Sequence, residues 1–367
     1  MDSVLSKIIM LVRFPLIVGV VMIHYTNVPI DGIDFLHFSS FEFVKAVEIF
    51  FSRILFTACV PIFFFISGYL YFVNIKKMNI TTYRKKTNNR LYSLLVPYLL
   101  WNISFFLLMY FINTIKLLVN GKGLHEVMLL FNSLKWQNVL YGWSVQEYTN
   151  YGGGAVCIQF PYDAPLWYVF DLIIITFLLS PLIWLFLKKT KGYVLFFLAL
   201  FYISAFWYGI PIRIDGIFYF SLGAYFAIYK INPIIKNKVL CLFALLFVVL
   251  AFCTYNIYVI GEICRKTYCI LGTLTIWNLF AKVTNNLERY SSLARMVFFI
   301  YAIHEMYILN FVRILFDKIN LFIGVNWALL LVEYFIAPIL ILTTCIFLYK
   351  LINSFAPKIL SLYDGRR

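Results

Sequence analysis

Ten stretches of this chain read as apolar segments of roughly membrane-crossing length, and no other feature restricts its fold so strongly. They fall at about 7–28, 49–73, 93–118, 165–187, 193–210, 215–230, 238–256, 267–282, 293–313 and 326–350. A spanning helix needs about 20 mostly apolar residues, because backbone N–H and C=O groups in hydrocarbon must bond within their own segment. With 63% hydrophobic and only 13% charged residues, the chain lacks the polar surface to cover a soluble globule. The same numbers exclude disorder. The expected fold is all-α and integral to the membrane, with about ten transmembrane helices in a single domain over 1–367.

Charge sets the expected orientation. The 31 Lys and Arg against 16 Asp and Glu give +15. On a soluble protein that excess would suggest nucleic acid; between apolar spans it follows the accumulation of bases in cytoplasmic loops. With the N-terminus inside, twenty of the 31 bases fall on inner segments, and ten lie in or beside outer ones. The acids run the other way: Asp31, Asp34, Glu42, Glu48, Glu126, Glu147, Asp163, Asp215, Glu262 and Asp317 all fall outside. Both termini are thus expected in the cytoplasm and the long 119–163 connection outside. That connection holds Trp136, Tyr141, Trp143 and the run Gly152-Gly153-Gly154, which lacks the strand and the Lys-Ser/Thr of a phosphate loop.

The first inner loop carries Lys76, Lys77, Arg84, Lys85, Lys86 and Arg90, a surface for anionic lipid or for an anionic cytoplasmic ligand. The N-terminus reads as a first span rather than a cleaved signal. The seven cysteines have no C-x-x-C pair and no His at ligand spacing, so no metal is expected. Cys157 and Cys264, both on outer segments, could form a disulfide, though free thiols are the expected state.

Charges inside spans are the candidates for chemistry, since holding one there costs at least a few kcal/mol, about 2.5–3.5 on insertion scales. Arg13 and His24 share the first span. Their 11-residue separation is about 16.5 Å of rise and three turns plus about 20°, so both lie on one helix face at different depths. Snorkelling of Arg13 to inner headgroups and an interfacial hydrogen bond for His24 would be the plain structural alternative. Asp171 could pair with Arg213 or orient His24. His304 and Glu305, adjacent and so about 100° apart on an α-helix, should not both face one cavity; His304, if paired with Glu305, would suit a structural role. Glu333, near an outer end, suits interfacial solvation. Trp101, Trp167 and Trp277 suit belt or packing positions.

Several motifs occur together and in order. Arg13-x10-His24 is followed by Phe63-Phe64-Phe65-Ile66-Ser67-Gly68-Tyr69 closing the second span. Next come Arg90 with Pro97-Tyr98 and Trp101, then Pro165-Leu166-Trp167-Tyr168 with Asp171 and Ser180-Pro181-Leu182, then Phe298-Phe299-Ile300-Tyr301-Ala302-Ile303-His304. Over about 7–310 this pattern resembles the acyltransferase 3 family of membrane acyltransferases. One departure is Phe170, where members often carry a basic residue before the fourth-span Asp.

The resemblance implies transfer of an acyl group, usually acetyl from acetyl-CoA, to a hydroxyl of a sugar, polysaccharide or lipid-linked glycan. His24 would act as general base or as the site of an acyl-His intermediate. Arg13 would hold the His24 tautomer through a bridging group or meet the phosphates of CoA, together with Arg90; Ser67 and Gly68 would admit the pantetheine arm, or else serve helix packing. Trp167, Asp171, Arg213 and Glu305 would face the acceptor. The implied setting is a bacterial cytoplasmic membrane, with the lipid bilayer and a glycan as partners and no nucleic acid. A transporter or flippase for a lipid-linked glycan is the alternative class, although no internal repeat of the transporter kind is seen.

Overall fold

The computed structural model describes residues 3–29, 32–133, 144–149, 155–204, 213–232, 237–283 and 291–365. Helices α1 (Ser3–His24), α2 (Ser40–Phe72), α3 (Ile80–Val119) and α4 (Leu124–Ser133) come first. A two-stranded antiparallel hairpin, β1 (Ser144–Thr149) and β2 (Ala155–Phe160), then interrupts the helices, with Ser144 paired to Phe160 and Thr149 to Ala155. There follow α5 (Ala164–Lys189), α6 (Tyr193–Ser204), α7 (Ile214–Ile228), α8 (Lys238–Cys253), α9 (Tyr258–Val283), α10 (Val297–Ile323), α11 (Trp327–Phe355) and α12 (Pro357–Tyr363).

The expected all-helical membrane architecture is present apart from that hairpin, which the sequence reading of 119–163 did not anticipate. Among the described residues, α1, α2, α3, α5, α10 and α11 are long and apolar enough to cross a membrane, and α6, α7 and α8 are shorter apolar helices. Leu242, Leu245, Phe196, Phe197, Phe311 and Phe347 are exposed on their outer faces, a surface suited to lipid and not to water.

Local chemistry starts and packs these helices. Ser39, Asn79, Asn237 and Asn326 accept hydrogen bonds from backbone amides in the first turns of α2, α3, α8 and α11. Where α2 crosses α7 the backbones nearly touch. A Cβ on Gly68 would lie 2.0 Å from the Phe220 carbonyl oxygen, and one on Gly223 would lie 2.0 Å from that of Phe65. Small residues at a membrane helix crossing allow this approach. Around it pack Phe64, Phe65, Phe72, Tyr219 and Phe220, all fully buried.

Helix α9 begins nine residues before the predicted 267–282 stretch, and takes in Glu262, which the sequence placed in an outer loop. Arg265 Nε donates to Glu262 Oε2 at 2.7 Å, and Lys266 Nζ donates to the Tyr202 carbonyl at 2.9 Å. Mutual neutralisation at helical spacing lets the turn continue through three charges. Cys264 in the same helix is a buried free thiol; the side chain of Cys157 lies outside the described residues, as do Trp136, Tyr141, Trp143 and the Gly152–Gly154 run.

Candidate active site

Helix α1 ends at His24, and Arg313 of α10 donates through Nη2 to the His24 carbonyl at 3.3 Å. The imidazole meets α10. His24 Nδ1 lies 3.0 Å from Glu305 Oε2, and each side chain keeps 27% of its surface exposed, so the pair is held yet accessible. For Nδ1 to donate to a carboxylate it must carry the proton, which leaves the lone pair on Nε2. The ring of His304 packs edge-on against that of His24, with centroids 5.2 Å apart.

On α-helical geometry His304 and Glu305 should not both face one cavity. That expectation fails for a local reason. Residues His304–Leu309 form a π-helical turn inside α10. Such turns change the angular step and are frequent at functional sites. Both side chains reach His24, while the His304 Nδ1–H is taken by the Tyr301 carbonyl at 2.7 Å. His304 Nε2 is buried and, among the described residues, has no hydrogen-bond partner.

The donor atoms of His24, His304 and Glu305 lie within 4.8 Å of one another, a set that a divalent cation could use. No spacing in the sequence announced this convergence, because the residues come from opposite ends of the chain.

A second cluster sits at the depth of Arg13. Ser67 Oγ and the Tyr168 hydroxyl are 3.1 Å apart. The charges of Arg13 and Arg90 both act on Tyr168 and on each other. Lys86 Nζ lies 5.6 Å from the centre of the Tyr71 ring, and the Arg90 guanidinium 5.9 Å from it. Among the described residues, neither Arg13 nor Arg90 has a carboxylate within ion-pair distance. Two guanidinium groups held together without counter-ions form a site for an anion, and the planar fork of Arg suits phosphate oxygens. Of the pair Ser67-Gly68, the serine reaches this cluster, and the glycine is taken up by the crossing with α7.

The remaining candidates gather where α5 begins. The Arg213 guanidinium lies 3.7 Å from the centre of the Trp167 ring. Asp171 Oδ2 accepts from the Arg213 backbone N–H at 3.3 Å, so these two meet through the main chain. The sequence did not single out Asp163, Asn102 or Tyr301. Asn102 Oδ1 accepts from the Asp163 backbone N–H at 3.0 Å, and the Tyr301 hydroxyl donates to the Pro165 carbonyl. Residues 162–165 are thereby strapped across the π-helical turn.

Glu333 is buried, not solvated at the interface as its position in the sequence suggested. It accepts from the Tyr25 hydroxyl at 2.5 Å and from Asn320 Nδ2 at 3.0 Å. Glu48 Oε2 accepts from the backbone amides of Asn27 and Val28 at 3.2 and 3.4 Å. Together these two carboxylates fix the chain just beyond His24.

A multi-pass helical membrane protein with a histidine–carboxylate pair above an unneutralised arginine pair has the parts for group transfer inside the bilayer. Residues 7–350 match the acyltransferase 3 family, described as an acyltransferase domain, and the chain belongs to that family. It is a membrane acyltransferase. It is similar to the succinoglycan biosynthesis protein ExoH of Rhizobium meliloti (strain 1021), at 24% identity over 377 residues covering 100% of this chain and 94% of that protein. No solved structure matches it.

Proposed function

We propose that this protein is an O-acyltransferase that moves an acyl group, in the usual case acetyl, from acyl-CoA to a hydroxyl of a cell-surface sugar, polysaccharide or lipid-linked glycan. In this reading the chain crosses a bacterial cytoplasmic membrane about ten times with both termini inside. The observation that carries the reading is the His24–Glu305 pair at 3.0 Å, its His24 lying on the same helix as Arg13 and about 16.5 Å further along it. The name of ExoH, a polysaccharide biosynthesis protein, supports a glycan acceptor.

The donor's phosphates are met by Arg13 and Arg90, and the pantetheine arm runs past Ser67 and Tyr168 toward His24. A sugar hydroxyl is a poor nucleophile near neutrality. His24 Nε2 takes its proton as the oxygen attacks the thioester carbonyl, and Glu305 holds the imidazolium that results. Collapse of the tetrahedral intermediate expels CoA thiolate, which takes the proton back from His24 and leaves as the free thiol. A positioned base of this kind is worth roughly 10²–10⁴-fold.

The test is transfer of labelled acetyl from acetyl-CoA to neutral glycosides by the purified protein in nanodiscs, with His24→Gln as the comparison. We expect turnover by the wild type and a loss of at least about 10²-fold in kcat for the variant, with acetyl-CoA binding retained. Absence of transfer to any acceptor, with glycan-lipid movement across vesicles instead, would replace this reading with the transporter.

A further inference from the structure

Beyond Trp167, Asp171, Arg213 and Glu305, Asp163 offers the acceptor a further contact. Asp163 is fully buried, and among the described residues neither carboxylate oxygen has a hydrogen-bond partner. A buried carboxyl without donors is strongly disfavoured unless something supplies them. Among the described residues, its surroundings supply none. Asn102 is turned the other way, its Oδ1 on the Asp163 amide and its Nδ2 donating to the Tyr98 carbonyl at 2.8 Å. The neighbouring hydroxyl of Tyr301 is spent on Pro165.

The position is equally specific. Tyr162 packs on Phe105 and Phe106 with Tyr307 alongside. Asp163 is close enough to Glu305 and Tyr307 to act on both electrostatically. Tyr301, whose hydroxyl holds the Pro165 carbonyl, has its ring 6.0 Å from that of His304, which places Asp163 near the His24–Glu305 pair; among the described residues, the Tyr307 hydroxyl and His304 Nε2 are also unpartnered.

Resting on the acyl-transfer reading above, we propose that Asp163 is an acceptor-binding residue that receives hydroxyl hydrogen bonds from a neutral sugar, beside the hydroxyl delivered to His24. The chemistry selects the class of sugar. Ligand O–H groups satisfy both orphaned oxygens, and two adjacent hydroxyls of a pyranose match the two oxygens of one carboxyl. A uronate would bring a third carboxylate to a buried place that already holds Asp163 and Glu305. Like charges buried together repel strongly. Burial, and then the charge of Glu305, push the Asp163 carboxyl of the unliganded protein well above the usual carboxylate range, toward the neutral acid, and hydroxyl donors from a bound sugar would draw it back to the carboxylate.

The experiment measures acyl transfer to methyl glucoside, methyl galactoside and methyl mannoside, and to methyl glucuronide, by wild type and Asp163→Asn in nanodiscs. Wild type is expected to use at least one neutral glycoside and to discriminate against the glucuronide by tenfold or more in kcat/KM. Asp163→Asn, which keeps the shape but loses one acceptor and the charge, is expected to raise the acceptor KM about 10–100-fold, as for loss of a hydrogen bond to a charged group. Its acetyl-CoA KM should stay within a factor of two, a readout that a merely misfolded protein would not preserve. Tyr307→Phe, a milder change nearby, should raise the acceptor KM by a smaller factor.

An unchanged acceptor KM in Asp163→Asn would overturn the subsite and leave a hydrated carboxyl, while acyl transfer itself stood. Preference of wild type for the glucuronide would do the same. No transfer by wild type to any acceptor would overturn the acyl-transfer reading and the subsite with it.

Discussion

Exchange of Glu305 for Gln separates an oriented general base from a histidine that merely sits beside a carboxylate. The pair is 3.0 Å apart and about a quarter exposed, so the exchange removes one charge-assisted hydrogen bond and little packing. A hydrogen bond to a charged group contributes about 1.5–3 kcal/mol. At about 1.4 kcal/mol per factor of ten, that alone predicts roughly 10–150-fold in kcat. The amide does further harm. Its NH₂ can donate to Nδ1, which moves the imidazole proton to Nε2, where the lone pair is needed. In serine proteases the corresponding Asp→Asn change costs about 10⁴ through the wrong tautomer. Glu305→Gln should therefore lower kcat by about 10²–10⁴-fold. Glu305→Ala, which cannot select the wrong tautomer, should lose less. The assay is labelled acetyl transfer in nanodiscs at saturating donor and acceptor, with the acetyl-CoA KM as the control for folding. A Glu305→Gln enzyme within a few-fold of wild type would refute the orientation argument, and a Gln variant more active than the Ala variant would refute its tautomer step.

Two further outcomes follow from the fold. Arg90→Ala should raise the KM for acetyl-CoA about tenfold or more while leaving the acceptor KM near wild type, since it removes half of an arginine pair that has no carboxylate partner among the described residues; saturation curves for each substrate decide it, and a raised acceptor KM alone would assign Arg90 to lipid anchoring. Gly223→Ala places a Cβ 2.0 Å from the Phe65 carbonyl oxygen, so α2 and α7 must separate, and thermal unfolding in detergent should reveal a loss of about 1–3 kcal/mol.

What the sequence disclosed, and what it hid, divides by range of interaction. Spans are local: a run of apolar residues declares itself, and each of the ten predicted stretches coincides with helix over most of its length. Arg13 and His24 were legible because charge is rare in a span and their helical spacing put them on one face. The partner of His24 was not, since Glu305 reaches it through a π-helical turn that no periodicity announces. Adjacent residues were assigned to different faces on α-helical geometry, and the turn undid that inference. Asp163 looked like one more acid on an outer loop, because its burial depends on Asn102 of another helix. Glu333 misled in the same way: its donor, Tyr25, lies 308 residues away in sequence.

The placement of both clusters on α1 has a mechanical consequence. A helix fixes the separation of two of its residues far more tightly than packed elements fix residues on different chain segments, and 11 steps of about 1.5 Å set the interval between Arg13 and His24. The lower end of that ruler meets Arg90 from α3 and Tyr168 from α5. Its upper end is held from three sides, by Arg313 on the His24 carbonyl, by Glu48 on the next amides and by Glu333 on Tyr25. Under the proposed function, a donor gripped by its phosphates at one end would present its thioester at only one depth, that of the imidazole. The activated acyl carbon would then reach the outer half of the bundle while the charged nucleotide stayed at the inner one, and the hydroxyl would meet it from the opposite side, past residues 162–165. Acyl transfer across the membrane would then require neither substrate to cross it.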